Sequence, residues 1–384
     1  MERTIELKGR VDSSNAAEVE ERIKAELDNY AGSLNIDVEE LEYISSAGLR
    51  ILLRLKKTYS DIHVINCNAE VYEILDMTGF TAMMDVVKAY RRLSVDGCQV
   101  IGEGANGIVY RTDPDTIVKV YKNRDALEEI HNERELARKA FVMGIPTAIP
   151  YDVVRVGDLY GSVFELLSAK SFAQLLKDGA DVATLAKDSA DILKTIHGTM
   201  LKDGELPNKR EEAIGWAKFC VPHLPEETGK RLMELFEGIP DTNNMVHGDY
   251  HVKNIMQQDG ENLLIDMDTL SMGHPIFEFA AIYAAYVGFS CVDKDQAHKF
   301  LGITVEQSRD FWKYTLSSYF EGKSEEYIED VQTKAALICY TRILRRTMRR
   351  VSPDAPDYKP LIDFCTEYLI ENVPKVDNLY FDVI

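Results

Sequence analysis

Three stretches of the chain concentrate residue types that can handle a phosphate group. One is Gly102-Glu103-Gly104-Ala105-Asn106-Gly107-Ile108-Val109-Tyr110, followed by Lys119 within Thr116-Ile117-Val118-Lys119-Val120-Tyr121. Another is Met245-Val246-His247-Gly248-Asp249-Tyr250-His251-Val252-Lys253-Asn254-Ile255-Met256, and the last is Leu263-Leu264-Ile265-Asp266-Met267-Asp268. Glycines let backbone N–H groups approach phosphate oxygens without a Cβ in the way. Carboxylate and amide oxygens are hard ligands that suit Mg²⁺. Phosphoryl transfer is mostly positioning plus neutralisation of charge, and these residue types offer both. His247 and His251 are spaced like a zinc pair, but they lie in no H-E-x-x-H string and no helical context. They are read as hydrogen-bonding residues that shape a loop.

A G-x-G-x-x-G string alone serves two different machines. In a dinucleotide fold it follows a strand and opens a helix. Here Gly107 leads into the strand-like Ile108-Val109-Tyr110-Arg111-Thr112, then the turn Asp113-Pro114-Asp115, then the strand bearing Lys119. A glycine-rich hairpin followed by a lysine-bearing strand resembles the protein-kinase arrangement. That resemblance implies that Gly102, Gly104 and Gly107 cradle ATP, that Val109 covers the adenine, and that Lys119 holds the α- and β-phosphates. Lys119 then needs a carboxylate, and the long helix expected over Asp125–Val142 offers Glu133 and Glu135 on different faces. The distance of Glu133 from Gly144 resembles that of the partner glutamate in small-molecule and atypical kinases, which selects Glu133. Asp249 and Asn254 have the spacing of a kinase catalytic loop. Asp249 would accept the proton of the attacking hydroxyl, Asn254 would give an oxygen to Mg²⁺, and Asp266, delivered by an apolar strand, would bind Mg²⁺ across the phosphates.

The strings H-G-D-x-H-x-x-N and I-D-x-D resemble the aminoglycoside phosphotransferase and choline kinase group, not the eukaryotic protein kinases, which carry H-R-D and D-F-G. Gly273-His274-Pro275-Ile276-Phe277-Glu278-Phe279-Ala280 is similar to that group's G-D-P-x-x-D-L-A, with His274 and Glu278 as substitutions. Leu193-Lys194-Thr195-Ile196-His197 is similar to its L-x-x-L-H helix end, and Phe164-Glu165-Leu166-Leu167 falls where the adenine-contacting hinge belongs, which implicates Glu165. The glycine loop is closer to protein kinases than is usual in the group. Its acceptor pockets are built from variable helices, expected here in 170–240 and 305–384.

Upstream of this machinery the first 90 residues alternate strand and helix patterns. Thr4–Gly9, Leu34–Val38 and Asp61–Asn66 read as strands, and helices are expected from Ala16 to Leu27, over Leu49–Leu55 opened by Ser45-Ser46-Ala47-Gly48, and over Glu70–Met77. Leu7-Lys8-Gly9-Arg10-Val11-Asp12, Tyr43-Ile44-Ser45-Ser46-Ala47-Gly48-Leu49-Arg50 and Met77-Thr78-Gly79-Phe80 resemble a STAS domain, the fold of bacterial anti-sigma-factor antagonists. The resemblance implies a regulatory protein partner and a phosphorylated serine just before the second helix, at Ser46. The acidic residue that often precedes that serine is here Ser45. An alternative is that Ser45 or Ser46 serves as the helix N-cap.

The expected fold is an α/β STAS-like domain over 1–90, a linker over 91–97, and an α+β two-lobed protein-kinase-like domain over 98–384, with lobes meeting near 167. With 44 Lys+Arg against 64 Asp+Glu the net charge is −20, which argues against nucleic acid or an anionic membrane as partner. Six dispersed cysteines without a C-x-x-C pair, no signal-like N-terminus and no apolar run long enough to span a bilayer indicate a cytoplasmic protein. The function expected is ATP- and Mg²⁺-dependent transfer to a hydroxyl. The acceptor is a small molecule, with a cation favoured by acidic walls, or a protein serine such as Ser46. A rival is a partner-switching protein whose kinase fold only binds nucleotide. The cluster Arg342, Arg345, Arg346, Arg349 and Arg350 stands out in so acidic a chain. It is expected to pair with the acidic remainder, or else to dock an anionic partner or the STAS-like domain.

Overall fold

A computed structural model describes residues 2–104, 106–167, 169–352 and 355–383. The chain divides into two compact units, one of residues 1–112, 118–126 and 152–163, the other of residues 113–117, 127–151 and 164–384.

The first unit begins with β1 (Glu2–Glu6), β2 (Gly9–Val11), α1 (Ala16–Glu26), β3 (Ser33–Asp37), β4 (Leu41–Ile44), α2 (Ser46–Thr58), β5 (Ile62–Cys67), α3 (Ala69–Met77) and β6 (Asp85–Lys88). β1, β3, β5 and β6 form a parallel sheet in the order β1-β3-β5-β6, and β2 pairs with β4 in a separate parallel ribbon. Parallel neighbours need crossovers, which the helices supply. Ile5, Leu34, Ile36 and Val64 from the sheet meet Ile23, Leu52, Val71 and Leu75 from the helices in one apolar core. The strand expected over Thr4–Gly9 is broken, because Gly9 takes φ +61° and starts a new strand. Asn15 precedes α1 without capping it; its amide donates backwards to the Arg10 carbonyl at 2.7 Å.

The same unit continues into a six-stranded sheet, ordered β7-β11-β12-β10-β9-β8, from β7 (Arg91–Arg92), β8 (Gln99–Glu103), β9 (Gly107–Asp113), β10 (Thr116–Tyr121), β11 (Asp152–Val156) and β12 (Leu159–Glu165). Arg91 and Arg92, expected within a linker, form an edge strand parallel to β11, with Arg91 paired to Asp152 at 3.1 Å. Leu93 and Val95 pack on the small core of Val118, Val120, Val154 and Val163.

The second unit contains α4 (Leu127–Val142), then β13 (Lys170–Ser171), α5 (Phe172–Lys177), α6 (Val182–Gly198), α7 (Lys209–Cys220), α8 (Glu226–Glu237), β14 (Met245–Val246), β15 (Ile255–Gln258), β16 (Glu261–Leu264), β17 (Ser271–Met272), α9 (Ile276–Tyr286), α10 (Gln296–Leu301), α11 (Val305–Tyr319), α12 (Glu325–Met348) and α13 (Lys359–Asn372). Its large core joins α6, α7, α9, α11 and α12. The apolar run near Phe279 is α9, buried on all sides as expected of a core helix. Among the described residues no helix is long and apolar enough to cross a membrane.

Candidate active site

In the first unit β8 and β9 pair antiparallel and present the glycine hairpin. The hairpin is closed by Gly104 N–H donating to the Gly107 carbonyl at 2.9 Å, and by Lys122 Nζ reaching the Gly104 carbonyl at 3.0 Å. Ala105 lies outside the described residues. A Cβ on Gly107 would sit 2.6 Å from the Val120 carbonyl oxygen, so this glycine lets β9 lie close against β10. At Gly104 a Cβ would meet nothing within 4 Å, so its absence leaves backbone open above the hairpin. Val109 opposes Gly102 across the hairpin, and Lys119 lies half-buried on β10, its Nζ 5.1 Å from the Tyr121 ring centroid.

The second unit holds Glu133, Glu165, Asp249, Asn254 and Asp266. Glu133 is buried on α4 and Glu135 is exposed, as their different helix faces require. Glu165 ends β12 and is exposed.

The loop joining β14 to β15 carries Asp249 and Asn254, and its shape is imposed from below by α9. Glu278 of α9 is fully buried, and its carboxylate accepts the backbone N–H of His247 and, at 3.0 Å, that of Gly248. An anion in an apolar helix survives burial only when paired and hydrogen-bonded. Burial alone would push its carboxyl pKa up; the His197 side chain, 3.9 Å away, together with His247 outweighs this and holds it below the usual range. Gly248 takes φ +86°, and a Cβ there would lie 2.8 Å from the Thr269 carbonyl oxygen, so only glycine fits. Thr269 Oγ1 donates to the His247 carbonyl at 2.7 Å, and the Tyr286 hydroxyl accepts the Val252 N–H at 2.9 Å.

Within this frame Asn254 Nδ2 donates to the Asp249 carbonyl at 2.9 Å and lies 3.4 Å from Asp249 Oδ2. That use of the amide nitrogen leaves the Asn254 side-chain oxygen for another partner, as a hard cation requires. Asp266 follows β16 with φ +67°, a turn that aspartate tolerates better than a branched residue. Asn254 and the segment of Asp266 are tied by the Ile265 N–H donating to the Asn254 carbonyl at 3.0 Å. The second unit thus brings Asp249, Asn254 and the Asp266 turn together, and their oxygen-rich chemistry fits Mg²⁺.

The two loop histidines shape the loop. His251 is buried, with Nε2 3.6 Å from Asp249 Oδ2 and its ring edge-on to Phe300 at 5.1 Å. Burial lowers its pKa against the pull of Asp249, which keeps it neutral near pH 7. His247 Nδ1 accepts the Asp249 N–H at 3.3 Å. Among the described residues no group of three or more His, Cys, Asp and Glu side chains is arranged to hold a metal.

Sequence reasoning saw Glu278 and His274 only as substitutions and gave them no role. The signal for Glu278 was present: one acid in the otherwise apolar run Ile276–Tyr286 must face a donor. His274 is buried, accepts the Ile276 N–H on Nδ1 at 3.0 Å and donates from Nε2 to the Phe381 carbonyl at 2.9 Å. It starts α9 and ties it to the chain's last turns, and burial pushes its pKa down to about 4. In the first unit Ser45 caps α2, its hydroxyl accepting the Ala47 N–H at 3.1 Å, while Ser46 is the first helical residue and is exposed.

Comparison with known proteins agrees with both resemblances. Residues 97–306 match the phosphotransferase enzyme family, and residues 3–94 match the STAS domain. A putative anti-sigma factor antagonist, BtrV of Bordetella bronchiseptica, is 30% identical over 87 residues, which is 22% of this chain and 75% of BtrV. A thermostable mutant of aminoglycoside phosphotransferase APH(4)-Ia, in ternary complex with AMP-PNP and hygromycin B, superposes with a TM-score of 0.51 at 14% identity, over 73% of this chain and 94% of that one. ADP-bound aminoglycoside phosphotransferase APH(2'')-Ib is similar at a TM-score of 0.46 and 18% identity, over 82% of this chain and 99% of that one. The chain belongs to the phosphotransferase enzyme family, kinase-type enzymes that act on hydroxyl groups, and it carries a STAS domain ahead of the transferase fold.

Proposed function

We propose that this protein is a cytoplasmic, Mg²⁺- and ATP-dependent phosphotransferase that moves the γ-phosphoryl group to a hydroxyl, with the STAS domain as its regulatory module. The domains run over 1–90 and 98–384. The observation that carries the reading is the clamped loop: Glu278 takes the His247 and Gly248 amides, and Asn254 is hydrogen-bonded to Asp249 at 2.9 Å. A loop held this way offers Asp249 in one orientation to an incoming hydroxyl, and preorganised placement is the main catalytic resource of phosphoryl transfer.

In this reading the acceptor oxygen forms a bond to the γ-phosphorus, the bond from that phosphorus to the bridging oxygen breaks, ADP leaves, and the hydroxyl proton passes to Asp249. Asn254 and Asp266 hold Mg²⁺, which when bound neutralises the charge of the phosphates. Gly102, Gly104 and Gly107 give backbone N–H groups to the phosphates, Val109 and Glu165 border the adenine, and Lys119 binds the α- and β-phosphates with Glu133 as its partner.

A second acceptor, a protein serine, is favoured by one observation: Ser46 is exposed at the first position of α2, and its hydroxyl has no hydrogen-bond partner among the described residues. A phosphate there would meet free N–H groups and the positive end of the helix dipole. The deciding experiment incubates the full chain with Mg²⁺ and ATP and follows both ADP release and intact mass. ADP release lost in Asp266→Ala supports the transferase, and added mass lost in Ser46→Ala supports self-modification. No nucleotide binding at all refutes the reading.

A further inference from the structure

The arginine cluster of α12 does not behave as its sequence context suggests. Arg342, Arg345 and Arg346 occupy the helix, Arg349 caps it and Arg350 follows. The chain has 64 carboxylate residues and a net charge of −20, yet none of these five arginines makes an ion pair with any described residue. The expected pairing with the acidic remainder is therefore corrected. Arg342 and Arg346 are four residues apart, so they share one face of α12 about 6 Å apart along its axis, and Arg350 follows just beyond the helix end. Like charges at this spacing destabilise a helix, and among the described residues no carboxylate forms an ion pair that offsets it. The negative end of the helix dipole accounts for cations in the last turn. It does not reach Arg342, whose guanidinium lies 5.4 Å from the Trp216 ring centroid on α7.

Two further observations bear on where this end of α12 lies. α12 packs on α9, whose Glu278 holds the catalytic loop, with Tyr340 edge-on to Tyr283 at 6.0 Å. Arg346 shares its field with Asp249: burial, then Arg350 and Arg342, lower its pKa, and Asp249 pulls it back up. Beneath Arg342 the Trp216 indole N–H is buried without an acceptor among the described residues, and Lys209 Nζ lies 6.0 Å from the same ring. Lys209 is paired with Glu212 at 2.7 Å, so the groups left awaiting an acceptor are the Trp216 N–H and the arginines.

Resting on the phosphotransferase reading, we propose that the hydroxyl acceptor is itself an anion, a small molecule bearing phosphate or carboxylate that Arg342, Arg346 and Arg350 hold beside Asp249. The cation that the net charge favours is thereby replaced, because a local field decides what binds at a site and the net charge only what approaches. A planar guanidinium pairs bidentately with either anionic group, which is what a stripe of arginines rather than lysines provides.

The test uses the full chain saturated with Mg²⁺ and AMP-PNP, so that the nucleotide's own phosphate sites are filled. Calorimetry then compares size-matched probes: glycerol 3-phosphate and glycerate as anions, glycerol as neutral, ethanolamine as cation. The expected result is binding of an anion only, which of the two telling phosphate from carboxylate. Affinity should fall about tenfold or more in Arg342→Gln/Arg346→Gln and fall less in Arg346→Lys, which keeps the charge but loses the bidentate fork. Thermal unfolding of each variant shows that it is folded. Equal affinity for ethanolamine, no loss in the double variant, or binding of an acidic peptide with no small anion bound overturns the proposal. Failure of Mg²⁺ and AMP-PNP to bind in the first step strikes the phosphotransferase reading instead, so the two failures are distinct.

Discussion

Replacing Glu278 by glutamine tests whether α9 shapes the catalytic loop. The side chain keeps its volume, but one acceptor oxygen becomes an NH₂ group that faces either the His247 or the Gly248 N–H. One buried backbone donor then loses its acceptor, at about 1–3 kcal/mol, and the other loses a charge-assisted bond. The site is fully buried, so water cannot compensate, and a total of about 2–4 kcal/mol is expected. At about 2–4 °C per kcal/mol for a domain of this size, the unfolding midpoint should fall by about 4–16 °C. Because the carboxyl pKa is held below its unfolded value, this contribution is present at neutral pH and fades as the pH drops through the native pKa. Differential scanning calorimetry at pH 7 and pH 4 therefore reads a larger gap between wild type and variant at pH 7. Single-turnover transfer should slow as well, since Asp249 follows Gly248 directly. A variant with an unchanged midpoint and an unchanged transfer rate would refute the clamp.

Asp249→Asn should keep nucleotide binding and lower transfer by about 10²–10⁴-fold, read as kcat at saturating ATP. His274, whose native pKa lies near 4 against about 6.5 unfolded, takes up its proton more readily in the unfolded chain. Stability should accordingly decline as pH falls from about 6.5 to 4, by up to about 3 kcal/mol, and urea unfolding of His274→Gln should show a flatter pH profile. Ser45→Ala removes the cap of α2 and should cost about 1 kcal/mol in chemical denaturation, whereas Ser46→Ala should cost close to nothing.

Much of the organisation was legible in the residues themselves. The alternation at Leu34 and Ile36, the helical spacing of Leu49 and Leu52 and the apolar run at α9 are local patterns, and burial follows from them directly. The candidate site was legible for the same reason: Gly248, Asp249 and Asn254 sit in one short loop, and Gly107 meets the strand that follows it. Other features depend on residues far apart in the chain. The break at Gly9 is a matter of φ, and the pairing of Arg91 with Asp152 joins residues 61 positions apart. Glu278 reaches back 30 residues to Gly248, and Arg346 comes within the electrostatic field of Asp249 although 97 positions separate them in the sequence. Composition measures charge summed over the whole chain, and by that measure the protein is acidic. The field that an acceptor would meet is set by which few charges lie close by without partners, and packing alone decides that, because electrostatic influence fades within about 8–10 Å in salt.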